Sequence, residues 1–246
     1  MTNREDKSSF EASSSPLRWA VLAGVWLAYY CFGLTIVSLA PLVAEISTEL
    51  GLSRSEMGGV LGAWQLVYIG SAVPLGILLD RTGIRRGLML AFIMIAVSVV
   101  LRSQAVDYAS LFLAVAVFGL GGPLVSVGAP KTISLWFKGS GRGMAMGIYM
   151  TAPMLGSMSG LSLTNGLFMP MMNGDWRAVM LLYAVFIAAS SLVWWLITAH
   201  PGCKKVEGKF STEPSGSQKE NFKRLIRIPA FQIVLAISIG IFFCNH

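Results

Sequence analysis

The sequence predicts an all-α membrane protein, built as a six-helix transmembrane bundle followed by part of a seventh helix. Two observations lead to this prediction. Hydrophobic residues make up 54% of the 246-residue chain and charged residues only 13%, and the mean hydropathy is +0.66. Several apolar stretches also exceed the roughly 18 residues that suggest a helix crossing a bilayer. A soluble domain of this length needs far fewer apolar side chains.

Polar residues divide the chain into successive segments. Residues 1–16 are polar and Ser-rich, and we expect them to form a disordered cytoplasmic N-terminus. Residues 17–199 are expected to form the six-helix unit, with helices at 17–43, 56–79, 87–105, 108–131, 143–168 and 175–199. Residues 200–228 contain seven Lys or Arg and predict a cytoplasmic linker. Residues 229–246 are apolar again and predict the start of a seventh helix.

Local signals predict where helices begin, end and pack. Ser53 followed by Glu56 predicts a capping box at the start of helix 2. Pro41 is expected to end helix 1, because proline cannot donate a backbone hydrogen bond. Glycines four residues apart favour close helix packing. They occur at Gly58 and Gly62 in helix 2 and at Gly156 and Gly160 in helix 5.

The basic residues predict the orientation of the chain. The net charge is +7, from 19 Lys or Arg against 12 Asp or Glu. With the N-terminus in the cytoplasm, the outer segments hold just three of these bases, Arg54, Arg102 and Arg177. Cytoplasmic segments of membrane proteins are enriched in Lys and Arg. We therefore expect an integral multi-pass protein with a cytoplasmic N-terminus, and the basic charge needs no nucleic-acid partner.

The reactive side chains do not favour an enzyme. Both histidines, His200 and His246, lie outside the predicted bundle core, and the three cysteines are scattered without a C-x-x-C pair. No spacing typical of a metal site or a phosphate-binding loop is found. The sequence therefore predicts no catalytic residue, no metal and no cofactor.

A distinctive motif, GILLDRTGIRRG, joins helices 2 and 3 at residues 76–87. Its defining residues are Gly76, Asp80, Arg81, Gly83, Arg85 and Arg86. Glycine permits tight turns, and a carboxylate can bind arginine or a helix N-terminus. We expect a short charged loop at the membrane surface, in which Asp80 with Arg81, Arg85 and neighbouring bases forms a charge lock.

This motif resembles the signature loop of the major facilitator superfamily, G-x-L-x-D-[RK]-x-G-[RK]-[RK], with Ile84 inserted before the paired arginines. The helix 4–5 connection around Lys131 and Arg142 and the start of helix 6 at Asp175-Trp176-Arg177 are also similar. The resemblance covers residues 17–243. It implies a secondary active transporter of a small solute that works by alternating access, with a midplane site between two six-helix halves. Small organic or inorganic anions are the favoured solutes, as in the cyanate/nitroimidazole or monocarboxylate-like carriers.

The full fold of that family has twelve helices, so we expect a truncated form here. The expected partners are membrane lipid, a small-molecule solute, and the missing C-terminal half or a second copy. The alternative is a non-transporting interaction or regulatory subunit, or a half-transporter that pairs with another chain. In either case the chain is not expected to be an enzyme or to bind nucleic acid.

Helices 1, 2, 4 and 5 line the solute pathway in that family. Their polar or aromatic residues near mid-depth are Tyr29, Tyr30, Thr35, Gln65, Tyr68, Ser126, Lys131, Tyr149 and Thr151. Each is alternatively a helix-packing residue, and Lys131 alternatively extends its ammonium group to lipid headgroups. Helix interiors without Asp or Glu argue against proton coupling through this half.

Overall fold

The computed structural model describes residues 16–203. The predicted N-terminal segment up to residue 15, the linker beyond residue 203 and the seventh helix lie outside the described residues. The long helices are α1 Leu17–Val37, α2 Arg54–Thr82, α3 Ile84–Ser103, α4 Tyr108–Trp136, α5 Ser140–Leu163 and α6 Trp176–Ala199. Five stretches of this part are long and apolar enough to cross a membrane, and α5, which is rich in Gly, Ser and Met, is the long helix outside that set.

Three predicted helices end earlier than expected, and the smallest difference is in α3, which ends at Ser103 instead of residue 105. α1 ends at Val37, and a 3-10 turn at Ala40–Leu42 leads into a separate short helix, Val43–Leu50. Pro41 explains the break because it has no N–H to continue the helix. α5 ends at Leu163 and continues as a single π-helical turn, Thr164–Phe168.

The connection between α2 and α3 corrects the predicted surface loop. α2 continues through Thr82 and α3 begins at Ile84, so most of the motif is helical. Gly83 alone reverses the chain direction, with φ 83° and ψ 159°. Its N–H donates to the Leu79 carbonyl at 3.0 Å. A single glycine at positive φ is enough to turn the backbone, so no longer loop is needed.

The six long helices form two groups that meet at the centre. α1 packs against α5 and α6, α4 packs against α2 and α3, and α3 also packs against α6. α1 and α4 touch each other. α2 and α5 therefore lie at two edges of the bundle, where α2 exposes Leu66, Ile69 and Val73 and α5 exposes Met150, Met154 and Met158.

Glycine brings α1 and α5 into backbone contact, as the Gly156 and Gly160 pattern predicted. A Cβ atom on Gly156 would lie 2.2 Å from the Tyr30 carbonyl oxygen. One on Gly160 would lie 2.7 Å from the Val37 side chain. The matching prediction for helix 2 was wrong. Gly58 and Gly62 have nothing within 4 Å of the Cβ position and belong to the open side of α2.

Polar side chains fix the helix ends. Ser53 and Glu56 form the predicted capping box, in which the Glu56 amide donates to the Ser53 hydroxyl at 3.2 Å. At the same end of the bundle, Glu49 accepts hydrogen bonds from the indole of Trp176 and the guanidinium of Arg177. These contacts tie the short helix Val43–Leu50 to the start of α6.

Candidate solute site

A cavity of about 600 Å³ lies between α2, α4 and α5. It occupies the end of the bundle that carries the signature motif. Its polar lining residues are Asp80, Ser126, Lys131, Ser134 and Arg142. Two of them, Ser126 and Lys131, are predicted pathway residues, and Asp80 belongs to the predicted motif.

The carboxylate of Asp80 binds the ammonium group of Lys131. The sequence predicts a charge lock of Asp80 with Arg81, Arg85 and neighbouring bases, and the base that binds Asp80 in the structure comes from α4. Both side chains are partly exposed, at 40% for Asp80 and 44% for Lys131. The Lys131 ammonium group therefore lies against the motif. An ion pair of this exposure contributes little to stability and exchanges readily with water or a solute.

The charged residues that line the cavity carry a net positive charge. Lys131 and Arg142 are cationic, and among the lining residues within positions 16–203 only Asp80 is anionic. The Arg142 guanidinium donates to the Ser134 hydroxyl at 2.6 Å. Arg142 was not among the predicted site residues, although its place in the basic connection after α4 was a usable signal. Such a set of donors suits an anion.

Four predicted pathway residues, one from each of four helices, form two side-chain contacts. Tyr29 of α1 meets Tyr149 of α5 edge-on, with ring centroids 5.3 Å apart. The hydroxyl groups of Tyr68 on α2 and Ser126 on α4 form a hydrogen bond of 2.8 Å. Ser126 also lines the cavity. The helix positions predicted from the family resemblance thus converge on one region.

Phenylalanine and tryptophan rings connect these residues. We call the aromatic cluster the set of Tyr29, Phe32, Trp64, Tyr68, Phe118 and Tyr149. Phe32 stacks on Phe118 with centroids 5.1 Å apart, and Trp64 meets Phe118 edge-on at 5.8 Å. Trp64 also contacts Tyr68 at 6.1 Å. The cluster therefore links α1, α2, α4 and α5 through one connected set of aromatic rings, of which Phe32, Phe118 and Tyr149 are buried.

Other predicted pathway residues lie elsewhere. Tyr30 stacks on Trp26 and contacts Phe186 of α6, so it faces a separate cavity of about 290 Å³ between α1, α5 and α6. The Thr151 hydroxyl accepts a hydrogen bond from the Trp26 indole at 3.1 Å. Gln65 is partly exposed on α2.

Thr35 is buried and contacts Arg102, a residue that was not among the predicted site residues. Its hydroxyl donates to the Cys31 carbonyl at 2.8 Å, and its own carbonyl accepts from Arg102 at 3.0 Å. Arg102 is 2% exposed. A signal was present, because Arg102 continues the helical spacing of the buried residues Ile95, Ser98 and Val99.

The rest of the motif surrounds the turn at Gly83. Gly76 lies within α2 with nothing within 4 Å of its Cβ position, and Arg81 lies in the last turn of that helix. Arg85 and Arg86 follow in the first turn of α3. The Arg85 carbonyl accepts a hydrogen bond from the Trp194 indole at 3.2 Å. These contacts attach the motif to α6 as well as to α4.

Comparisons with known proteins agree with this architecture. The family model "Major Facilitator Superfamily" matches residues 25–245. The chain is 26% identical over 160 residues to a probable L-galactonate transporter of Escherichia coli (strain K12), which covers 65% of the chain and 35% of that protein. It is 28% identical over 162 residues to the probable nitrate transporter NarT of Staphylococcus carnosus (strain TM300), covering 65% of the chain and 40% of that protein. The chain thus spans less than half the length of these two relatives.

A solved structure shows the same fold. A crystal structure of the peptide transporter POT in complex with sulfate superposes with a TM-score of 0.63 at 18% sequence identity, over 93% of this chain and 46% of that one. The apolar helices and the family match make this an integral multi-pass membrane protein with an all-α fold. The transporter names of the relatives agree with a solute carrier rather than an enzyme. By its family match over residues 25–245, this chain belongs to the Major Facilitator Superfamily of transporters.

Proposed function

We propose that the chain supplies one six-helix half of a secondary active transporter for a small anion. The observation that carries this proposal is the 600 Å³ cavity, where the described part of the chain contributes Lys131 and Arg142 against one carboxylate, that of Asp80. Two cations that converge on a cavity attract an anion, and hydroxyl donors such as Ser126 and Ser134 suit its oxygen atoms. The named solutes of two relatives, nitrate and L-galactonate, are anions of this kind.

Alternating access is the mechanism that we propose for this half. The exposed Asp80–Lys131 ion pair joins the end of α2 to α4 and opens without a large change in stability. An entering anion competes with Asp80 for Lys131. Binding then loosens α2 from α4 at this end of the bundle, and the Tyr68–Ser126 hydrogen bond between the same two helices connects this movement to the aromatic cluster.

Anion binding to the purified 246-residue chain in lipid nanodiscs tests the proposal. Nitrate and L-galactonate are titrated while the intrinsic tryptophan fluorescence is recorded, because Trp64 belongs to the aromatic cluster. Lys131→Gln and Arg142→Gln are each expected to weaken binding by about tenfold, the factor for losing a hydrogen bond to a charged group. Mannitol, which is uncharged, should give no response.

Lys138→Gln is the matched control for this experiment. Lys138 lies in the exposed turn between α4 and α5 and does not line the cavity. Removing its charge changes the net charge of the chain by the same amount and should leave binding unchanged. Equal weakening by all three variants would point to a general surface effect and would contradict an anion site in the cavity.

We also propose that the half pairs with a second six-helix half, either another chain or another copy. The exposed apolar residues on α2 and α5 favour this pairing, because Ile69 is 65% exposed and Met154 is 69% exposed. This observation also supports the alternative role, an interaction subunit that does not transport. Uptake of nitrate into liposomes separates the two roles: a subunit binds its partner without any uptake.

Disulfide cross-linking tests the pairing. Cysteines at Ile69 and Met154, introduced together in a background without the native cysteines, should link two copies in oxidised membranes if copies pair through these edges. Cysteine at Val97, which is also exposed but on α3, is the control and should give no cross-linked product. Cross-linking only to a different protein would identify a separate second half, and monomers throughout would contradict pairing.

A further inference from the structure

Arg102 is a buried cation whose described hydrogen-bond partners are uncharged. It belongs to α3, a helix long and apolar enough to cross a membrane, and its side chain is almost entirely buried. Charged side chains inside membrane proteins normally pair with an opposite charge because an isolated charge is costly there. The salt bridges found within residues 16–203 join Lys131 to Asp80 and Arg177 to Glu49. Arg102 must be stabilised in another way.

The end of α1 provides this stabilisation. The Arg102 Nη1 group donates to the Thr35 carbonyl at 3.0 Å and to the Ser38 hydroxyl at 2.8 Å. Thr35 lies in the last turn of α1, where the helix dipole is negative. Its carbonyl also accepts from the Ser38 backbone N–H at 3.4 Å and from the Ser38 hydroxyl at 3.0 Å, so Arg102 joins an existing capping arrangement. Arg102 therefore caps α1 from a neighbouring helix.

The guanidinium also contacts the aromatic cluster. Its central carbon lies 5.4 Å from the ring centroid of Phe118 on α4, a distance suited to a cation–π interaction. Phe118 stacks on Phe32 of α1, and Phe32 meets Tyr29 edge-on at 6.1 Å. Phe118 also meets Trp64, which contacts Tyr68, and the Tyr68 hydroxyl is hydrogen-bonded to Ser126. Because Ser126 lines the cavity, a continuous chain of contacts runs from Arg102 to the cavity.

We propose that Arg102 is a positioning residue for the solute pathway, which holds the end of α1 and the Phe118 ring in a fixed relation. The guanidinium is planar, so it can bind the carbonyl and hydroxyl along its edge while its face meets the ring. A lysine ammonium group keeps the charge but not this geometry. The link to the solute rests on the proposed function, whereas the fastening of α1 does not.

Cys31 is a native reporter of this fastening. It is buried in α1, and its carbonyl accepts the Thr35 hydroxyl hydrogen bond. In the 246-residue chain with Cys203 and Cys244 changed to Ser, the rate of Cys31 modification by N-ethylmaleimide is measured by mass spectrometry. Arg102→Met should raise this rate at least about tenfold, the factor for one hydrogen bond to a charged group. Arg102→Lys should raise it less.

Two controls separate local release of α1 from general unfolding. Arg177→Met removes a guanidinium at the same end of the bundle, one that binds Glu49 and the Ala105 carbonyl, and should leave the Cys31 rate unchanged. A second parent chain keeps Cys203 as its sole cysteine. Cys203 is also buried, and Arg102→Met should leave its modification rate unchanged.

A milder variant keeps the test decisive if Arg102→Met does not fold. Ser38→Ala removes one acceptor of Arg102 and should raise the Cys31 rate in the same direction by a smaller factor. Protection of Cys31 in both variants equal to that in the parent would overturn the proposal. An equal response of Cys203, or of the Arg177→Met chain, would overturn it as well.

The anion titration then tests the connection to the pathway. Arg102→Met should weaken nitrate binding in nanodiscs, Arg102→Lys should recover part of it, and Arg177→Met should have no effect. Cys31 release without any change in nitrate binding would confine Arg102 to fastening α1 and would overturn its positioning role. The Cys31 measurement needs no solute, so a chain that binds no anion still shows whether Arg102 fastens α1.

Discussion

At the scale of single residues, the ion pair between Asp80 and Lys131 connects the signature motif to the cavity. Asp80 lies near the end of α2, Lys131 lies on α4, and both line the same cavity. In the proposed mechanism, Asp80 competes with the anion for the ammonium group. The motif is then part of the binding equilibrium as well as a structural feature of the helix turn.

Asp80→Asn is expected to affect binding and transport in opposite directions. Without the carboxylate, Lys131 is available to the anion, so nitrate affinity should rise by up to about fivefold, which matches the ~1 kcal/mol upper end for an exposed ion pair. Uptake into liposomes should fall because the α2–α4 contact no longer closes. Nitrate binding is titrated in nanodiscs and nitrate uptake is measured in liposomes, both prepared from the same purified protein. Weaker binding in the variant would show that Asp80 does not compete with the anion.

Single residues were only partly predictable from the sequence. Tyr29, Tyr68, Ser126 and Tyr149 converge because the helices that carry them do, and the family resemblance named those helices. The partner of Asp80 could not be read from the motif, because Lys131 is 51 residues away along the chain. Arg102 was counted as an outer charge, since its position near the end of a predicted helix is typical of a residue at the membrane surface.

At the scale of helices, glycine determines how closely α1 and α5 approach. The Cβ position of Gly33 would lie 2.2 Å from the Pro153 carbonyl oxygen, and that of Gly156 is equally close to the Tyr30 carbonyl. The Ser157 hydroxyl adds a hydrogen bond of 3.1 Å to the Gly33 carbonyl. Backbone atoms in contact cannot rotate away as side chains can, so α1 and α5 cannot slide along each other easily. We therefore expect these two helices to move as one unit.

Gly156→Ala is expected to destabilise the protein. The added methyl group would meet backbone atoms, which cannot rotate away, so the free energy of unfolding should fall by about 2 kcal/mol. Gly147→Ala on the same helix is the control, because its Cβ position has nothing within 4 Å. Alanine there should leave stability equal or slightly higher, since it favours helix more than glycine does. Thermal unfolding in one detergent compares them, and equal Tm values would contradict the close contact.

The helix pairs could not be deduced from the glycine patterns alone. The same four-residue spacing occurs in α2 and α5, yet only the α5 pattern is packed. A transmembrane helix is apolar on nearly every side, because lipid and protein are both apolar surroundings. Hydrophobic periodicity therefore does not show which side of α2 meets α4. In contrast, the capping box at Ser53 and Glu56 depends on neighbouring residues only, and it was predicted correctly.

At the scale of the whole molecule, the two ends of the bundle carry different sets of charges. One end has the signature arginines, Lys131 and Arg142, and the other has Glu49, Arg54 and Arg177. At the second end, Arg177 is paired with Glu49 and Arg102 is buried. The motif end carries more Lys and Arg than the other end, and since cytoplasmic segments are enriched in these residues, we expect the motif end in the cytoplasm.

Cysteine labelling of intact cells checks this orientation. Arg54→Cys, at the exposed start of α2, should react with a membrane-impermeant maleimide in a background without native cysteines. Lys138→Cys, in the exposed turn between α4 and α5, should react only after the cells are permeabilised, because that turn is expected in the cytoplasm. The reverse pattern would place the N-terminus outside.

The overall fold was predicted more completely than the site. Composition and long apolar stretches are enough to indicate a helical membrane bundle, and counting basic residues is enough to propose its orientation. The cavity and the aromatic cluster depend on how six helices are arranged around one another. That arrangement depends on contacts between residues far apart in the chain, and a local sequence pattern does not show which distant residues meet.

The one-residue connection at Gly83 limits how the motif can move. Two torsion angles, φ and ψ of a single glycine, are the main freedom between two helices of 29 and 20 residues. The joint is also confined from the side, because a Cβ atom on Gly87 would lie 2.1 Å from the Leu79 side chain. Because the connection is short and confined, we expect α2 and α3 to reorient together. A small rotation of α2 that releases Asp80 must tilt α3, and Arg102 near the far end of α3 would travel the greatest distance.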